Sequence, residues 1–382
     1  MSVTGTPFEY DSADAKAYHA EATELSAQMR EGDISPYIRM INGPKRGPSD
    51  DGYPIYLGVQ YFITNDSIII ERIIKSLLGA LTCVMLYKFA KRNFGEETGR
   101  MSAIFCFLMP NMILYSGIHT KEVEMVFLTV WFMERADNML RSGKFSIGEI
   151  TPPVLLATSL FFFRTILGAT AVFALFTAII FTPSKVINAG KRATLFIWLI
   201  GALSFVIGGT ISNEVEAVWT ARDKNQQQSM EFRSTRDNGN KFAKYLGAGV
   251  FAPMIFVIPF PTMVETPQQE NQKIINGGNF SKNILGFFII FAFIYIIKQR
   301  KWKDYLLIEA FTVSYLVVLA MSAFAQSERF HQPALPFELV LAAFGISLIN
   351  NSQKKYYTWW LAFMFIAMMG WGWFKLAGRN MA

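Results

Sequence analysis

Charge is what this sequence has least of relative to its size. Only 17% of its 382 residues are Asp, Glu, Lys or Arg, against about 25% in soluble globular domains. Histidine and cysteine are scarcer, at three and two residues. Cys83 and Cys106 both lie inside apolar blocks, where a thiol acts as a small hydrophobe. That placement excludes a zinc knuckle, a redox pair and a disulfide scaffold. With 52% hydrophobic residues, the chain is also not a disordered one.

What is present is apolar and arranged in blocks. There are 35 Phe, the mean hydropathy is +0.27, and short basic links separate the long apolar runs. A chain of this length is enough to cross a bilayer about ten times. The spans expected are 68–87, 101–118, 122–140, 151–163, 165–182, 193–213, 281–297, 304–325, 333–349 and 357–375. The sequence therefore reads as an all-α polytopic membrane protein.

The net charge of +7 is a sum of opposites. Residues 1–67 carry ten acids against five Lys and Arg. The basic excess falls in five links: Lys88 to Arg100, Arg135 to Lys144, Lys185 to Arg192, Lys298 to Lys303, and Lys354 with Lys355. By the positive-inside rule these are cytoplasmic, which turns the acidic head, the turn at His119–Glu122, the polar stretch 214–280 and the link 326–332 outward. No nucleic-acid partner is expected, because the basic clusters alternate with spans and carry no recognition motif.

Three stretches test that scheme. Thr151–Thr182 would be about 48 Å long as one helix, against a hydrocarbon core of about 30 Å. A hairpin turning at Arg164 restores the charge rule and puts that arginine in a protein-lined cavity. Residues 245–264 are interrupted by Pro253, Pro259 and Pro261, which favours a re-entrant or interfacial helix. At the start, a polar acidic head precedes the first span with no signal peptide before it, so a further spanning helix is expected upstream of Met1.

The outward segments hold the residues able to carry chemistry. Asp11, Asp14 and Tyr18 share a helix face by their spacing, although acids in a first turn also serve as plain caps. Asp51-Gly52-Tyr53-Pro54-Ile55-Tyr56 reads as a turn followed by interfacial aromatics. His119-Thr120-Lys121-Glu122 lies at the mouth between two spans, where a Lys–Glu pair contributes little on its own. Arg164 stands among Phe161-Phe162-Phe163 and Ile166-Leu167, and a cation in such surroundings is a functional-site candidate by default. Glu328-Arg329-Phe330-His331 opens the ninth span, where an arginine also has the option of snorkelling to headgroups. Carboxylates facing cations suit a reaction in which a phosphate is held while a proton is removed.

This pattern resembles the polytopic GT-C glycosyltransferases, the group containing the protein O-mannosyltransferases and the bacterial lipid A aminoarabinose transferase. The resemblance rests on Asp14-Ala15, Tyr18 and Glu21-Ala22, then on Gly52-Tyr53-Pro54-Ile55-Tyr56-Leu57 and Leu86-Tyr87-Lys88-Phe89-Ala90-Lys91-Arg92. It continues through Pro110-Asn111-Met112-Ile113-Leu114-Tyr115-Ser116-Gly117, Lys121-Glu122, Phe163-Arg164 and Arg329-Phe330-His331 with Pro333 and Pro336. It implies a GT-C-like bundle of about ten transmembrane helices with an outward loop cavity. It also implies transfer of a sugar, with inversion, from a polyprenyl-phosphate donor to a glycan, lipid or protein acceptor on the outer face of a bacterial inner membrane.

Position by position, the resemblance makes Asp14 and Glu122 the catalytic acids. Arg164 and Arg329, with Lys121 and His331, become the phosphate-binding cations, and Asp11, Tyr18, Tyr53 and Tyr56 bind substrate. Some family members bind a divalent cation. Three departures stand out: Ala15 replaces the family's second acid, the family's first transmembrane helix is expected upstream of Met1, and the large C-terminal soluble domain of some members is not expected within these 382 residues.

The expected organisation is an outer head with amphipathic helices (1–67), a first transmembrane module (68–213), an outer lid (214–280) and a second transmembrane module (281–382). An O-antigen polymerase or ligase, a small-solute transporter and a scaffold subunit are the rival readings. The transporter predicts ionisable residues at mid-depth and paired halves; the sequence reading finds one such residue, Arg164, and no repeat.

Overall fold

In the apolar blocks every backbone N–H and C=O must find a partner within the chain, and helices supply it. The computed structural model describes residue 8 and residues 13–42, 48–142, 146–182, 239–243, 249–262, 272–322 and 324–379, with scattered positions between 190 and 235. All regular structure among the described residues is helical. The chain divides into two units: one comprises 1–89, 112–217 and 303–311, the other 90–111, 218–302 and 312–382. The division is not linear, since each unit borrows a short stretch from the other half of the sequence.

The first unit begins with α1 (Ala13–Arg30), α2 (Ser35–Asn42) and α3 (Pro48–Thr64). α1 packs along α3 through the fully buried Ala15 and Ala22, small enough to bring the helices close. The position at which the family resemblance expects an acid, Ala15, is thus a core contact. The C-terminal end of α1 is tied down by Arg30 and Ser26, which donate to Asp66 at 2.9 and 2.8 Å. Asp66 belongs to a left-handed turn, with φ of 55° at Asn65 and 58° at Asp66, that leads into α4 (Ile68–Phe94). The guanidinium of Arg30 holds the Asp66 carboxyl below its usual range.

The sequence predicts a turn at Asp51–Pro54, but α3 runs through it with Pro54 inside the helix. The reason lies in packing. A Cβ on Gly52 would collide with the Phe162 carbonyl, so the glycine serves a close approach between two helices and not a reversal of the chain.

Pro110 interrupts the helix: Met109 is extended (ψ 118°), as the residue before a proline prefers. The helix restarts as α6 (Pro110–Gly117) after α5 (Glu96–Leu108). α7 (Glu122–Arg141), α8 (Ile147–Phe163) and α9 (Thr165–Phe181) follow. The helix breaks at Arg164, whose backbone is extended (φ −164°, ψ 113°), and α8 and α9 pack on each other. α8 has 17 residues, not the 13 expected, because Pro152 and Pro153 are accommodated inside it. The span expected at 193–213 lies mostly outside the described residues, as do 214–223, 244–248 and 263–271.

In the second unit α10 (Gln272–Lys298), α13 (Leu335–Leu348) and α5 pack together. α11 (Leu306–Ala320) and the short α12 (Glu328–His331) precede α13, and α14 (Asn351–Ala377) follows it. A Cβ on Gly345 would meet the Phe288 carbonyl, so α10 and α13 nearly touch backbones there. Residues 249–262, expected to form a re-entrant or interfacial helix, hold only a single 3-10 turn at Ala252–Met254. The prolines withhold N–H donors. The Asn283 amide takes over part of the pairing by donating to the carbonyls of Val257 and Pro259.

Two helices, Lys273–Lys298 and Asn351–Ala377, are long and apolar enough to cross a membrane, and α8, α9, α11 and α13 are apolar but shorter. α14 leaves Trp359, Phe365, Ile366, Met369 and Trp373 each more than half exposed. An apolar face of that extent marks a surface that membrane or another protein covers.

Candidate functional site

Three helices of the first unit meet in a group of aromatic rings. The Tyr18 ring of α1 meets the Tyr53 ring of α3 edge-on at 4.9 Å. Tyr53 and Tyr56 each lie close to Phe163 at the end of α8, at 6.3 and 6.2 Å. Tyr18 and Tyr56 are partly buried, Tyr53 wholly so. Burial raises the Tyr53 and Tyr56 hydroxyl pKa values, helped by Glu124 and Glu71, so both stay protonated donors. Asp14 is exposed in the first turn of α1, one helical turn before Tyr18. Arg164, partly buried, follows Phe163 directly. Asp11 lies outside the described residues.

Beneath this platform is an ionic cluster that the sequence reading did not single out. Lys75 is fully buried and bridges two carboxylates, Glu124 at 3.0 Å and Glu71 at 3.4 Å. It also donates to the Thr120 carbonyl and lies over the Tyr53 ring. Glu71 accepts from the Tyr53 hydroxyl at 3.4 Å and pairs with His119 at 3.2 Å. His119 faces the Tyr61 hydroxyl at 3.5 Å, which meets His19 at 2.8 Å. His119, Thr120, Lys121 and Glu122, expected at an open mouth, are all at most 7% exposed. The turn between α6 and α7 is closed over the charged side of α4.

Arg329 and His331 belong to the second unit. There His331 Nε2 donates to the Ala325 carbonyl at 2.8 Å and Nδ1 accepts from Lys282 at 3.1 Å. Lys282 pairs in turn with the fully buried Glu338 at 3.0 Å. Both imidazole nitrogens of a 3% exposed side chain are thus engaged. That corrects the reading of His331 as a phosphate ligand, since it has no free donor to offer. Arg329, partly buried on α12, keeps its candidacy.

Burial, then the Lys282 ammonium, hold the His331 pKa well below 6.5. The contribution of a neutral buried imidazole is complete above the unfolded value. It is lost as pH falls through the depressed folded one, because only the unfolded chain then binds the proton. Thermal inactivation of the wild type should accelerate on acidification from about pH 7 to about pH 5, and His331→Gln should flatten that dependence. Parallel pH profiles would count against it.

Ionisable groups buried among the helices are therefore several, and Arg164 is not the isolated case that the sequence suggested. The signal was present: Glu71 and Lys75 stand four apart in one apolar span, and Lys282 and Glu338 each sit inside another. Charges so placed mark functional or structural pairs. Among the described residues, no three His, Cys, Asp or Glu side chains converge as metal ligands.

No family model matches the sequence, and no curated protein does. Among solved structures, the chain is similar to ArnT from Cupriavidus metallidurans, a lipid A aminoarabinose transferase. The crystal structure bound to undecaprenyl phosphate matches with a TM-score of 0.54 at 11% identity, over 92% of this chain and 58% of that one. The apo form gives 0.54 at 12%, over 91% and 57%. The archaeal oligosaccharyltransferase AglB from Archaeoglobus fulgidus, in complex with an inhibitory peptide and a dolichol-phosphate, aligns at 0.45 and 12%, over 85% of this chain and 47% of that one. ArnT and AglB are both GT-C glycosyltransferases. The chain spans less than three fifths of the ArnT chains it matches, and at these identities the likeness is one of fold.

Proposed function

We propose that this chain is a multi-pass membrane glycosyltransferase that moves a sugar from a polyprenyl-phosphate donor to an acceptor at the outer face of the membrane. The reading is carried by the meeting of Tyr18, Tyr53, Tyr56 and Phe163 in one unit, with Asp14 and Arg164 adjoining in the chain. A fold like that of ArnT, crystallised with undecaprenyl phosphate, supports it. Aromatic faces suit the C–H faces of a sugar ring. Asp14 takes or orients the acceptor's proton as the nucleophile attacks the anomeric carbon in line. Arg164 steadies the departing phosphate, which a guanidinium grips with two parallel hydrogen bonds. Lys121, Glu122, Arg329 and, outside the described residues, Asp11 remain candidates for contact with substrate. The acceptor class, the sugar and the bacterial inner membrane belong to the proposal. So do the ten-span count and the expected organisation into an outer head, two transmembrane modules and a lid.

The direct test is incubation of the membrane-inserted protein with labelled polyprenyl-phosphate sugars, following loss of label to an acceptor. Arg164→Ala is expected to weaken donor binding by at least tenfold, the scale of one charged hydrogen-bonded contact of about 1.5–3 kcal/mol. Equal donor affinity in both proteins would make Arg164 a structural residue.

A second reading has an observation of its own. Ionisable residues buried in spans, Glu71, Lys75 and Glu124 in one unit and Lys282 and Glu338 in the other, are what a solute transporter uses. Flux of a solute into vesicles without any glycosyl transfer would favour it.

A further inference from the structure

Beneath Tyr53 runs a line of polar side chains, joined by ion-pair contacts and hydrogen bonds, with one sealed end and one wet end. Lys75, Glu71, His119 and Tyr61 are each 0% exposed, whereas His19 at the end of the line is only partly buried. Successive separations are 3.4 Å from Lys75 to Glu71, 3.2 Å from Glu71 to His119, 3.5 Å from His119 to Tyr61 and 2.8 Å from Tyr61 to His19. Four elements contribute: α1, α3, α4 and the turn before α7. At the sealed end, two carboxylates face one ammonium, which leaves a negative charge unless a further proton is bound. A buried set of this kind holds such a proton collectively. An imidazole or a phenol accepts at one side and donates at the other, so the line is able to pass one along.

We infer that Glu71, His119, Tyr61 and His19 form a proton relay that carries away the proton released when the acceptor is glycosylated. The inference rests on the glycosyl-transfer reading above. The entry point is Tyr53, a platform residue whose hydroxyl donates to Glu71. Asp14 draws the proton from the acceptor; as that proton is handed on to the Tyr53 oxygen, Tyr53's own proton passes to the Glu71 carboxylate. Glu71 then protonates His119 Nδ1, His119 releases its Nε2 proton to the Tyr61 oxygen, and Tyr61 passes its proton to His19 Nδ1. His19 discharges one proton to water, and the line is restored. No group gains or loses more than it passes on.

The charged and titratable groups facing the line are Asp66, Arg72, Lys75, Glu124 and the two imidazoles themselves. Burial lowers the His19 pKa, with the nearby His119 adding to the effect and Asp66 and Glu71 opposing it. A neutral His19 is the form that accepts.

The full chain is tested in membranes with a polyprenyl-phosphate sugar that the wild type turns over. Tyr61→Phe keeps the ring and removes the hydroxyl; it should lower kcat about tenfold or more at unchanged KM. His19→Gly should show a comparable loss that added imidazole restores. Full turnover in both variants, or a loss that imidazole leaves in place, overturns the relay. A wild type that transfers no sugar is a failure of the glycosyl-transfer reading, and it is visible before any variant is made. The relay is then judged by its protons alone. The chain has three histidines, so labelled imidazoles are resolvable, and Tyr61→Phe should change the titration of His19, whose hydroxyl partner it removes. Identical titrations in wild type and Tyr61→Phe overturn it.

Discussion

Asp14→Asn is expected to leave the protein folded and inserted while lowering transfer by about 10²–10⁴, the share that a positioned proton acceptor contributes. The separation of effects follows from where the residue sits. Asp14 is exposed on α1, and the helix is held by its other face, through Ala15, Ala22 and the Arg30–Asp66 pair. An amide of the same size disturbs none of those contacts. It retains the ability to orient a hydroxyl but no longer accepts its proton. The measurement is turnover of labelled donor beside a thermal melt of the detergent-solubilised protein. Unchanged turnover in the folded variant would remove Asp14 from the mechanism and leave Tyr53, at the entry of the relay, as the group that receives the proton.

Lys75→Met should destabilise the protein by about 3–5 kcal/mol, the cost of leaving buried charge without its partner. Glu71 and Glu124 are at most 3% exposed and share this one ammonium, and methionine fills the same space without charge. Adding Glu124→Gln to Lys75→Met should recover much of the loss, since fewer uncompensated charges remain. Melting temperatures of the three proteins decide the matter. A Lys75→Met variant that melts with the wild type would show that the cluster holds an extra proton readily enough to do without the lysine.

Much of the architecture was legible in the chain. Apolar runs at 68–87, 122–140, 165–182 and 281–297 became α4, α7, α9 and α10, because in predominantly apolar surroundings the backbone is left to pair with itself. The breaks at Met109 and Arg164 were legible too. The first follows from the clash that a proline imposes on the residue before it. The second was read from the mismatch between a 32-residue run and the thickness of a bilayer. Pro54 was misread, since its local preference for a turn is outweighed by the packing of α3 against α1 and α8.

The site divides along the same line. Tyr18, Tyr53, Tyr56, Asp14 and Arg164 were all named from motif and placement, and the fold gathers the first three with Phe163. Nothing in the order of residues said that His19, Tyr61, His119 and Glu71 would meet, because 100 positions separate His19 from His119 and each alone looks like an ordinary polar residue near a helix end. Hydrophobic periodicity is a property of neighbours in sequence, so the sequence by itself determined an all-helical chain suited to a bilayer and an acidic head set apart from its basic links. Which charges are sealed in, and which partner neutralises each, depends on contacts between helices distant in the chain. Only the tertiary structure could decide that Lys75 is held between two carboxylates and that His331 has no nitrogen left for a phosphate.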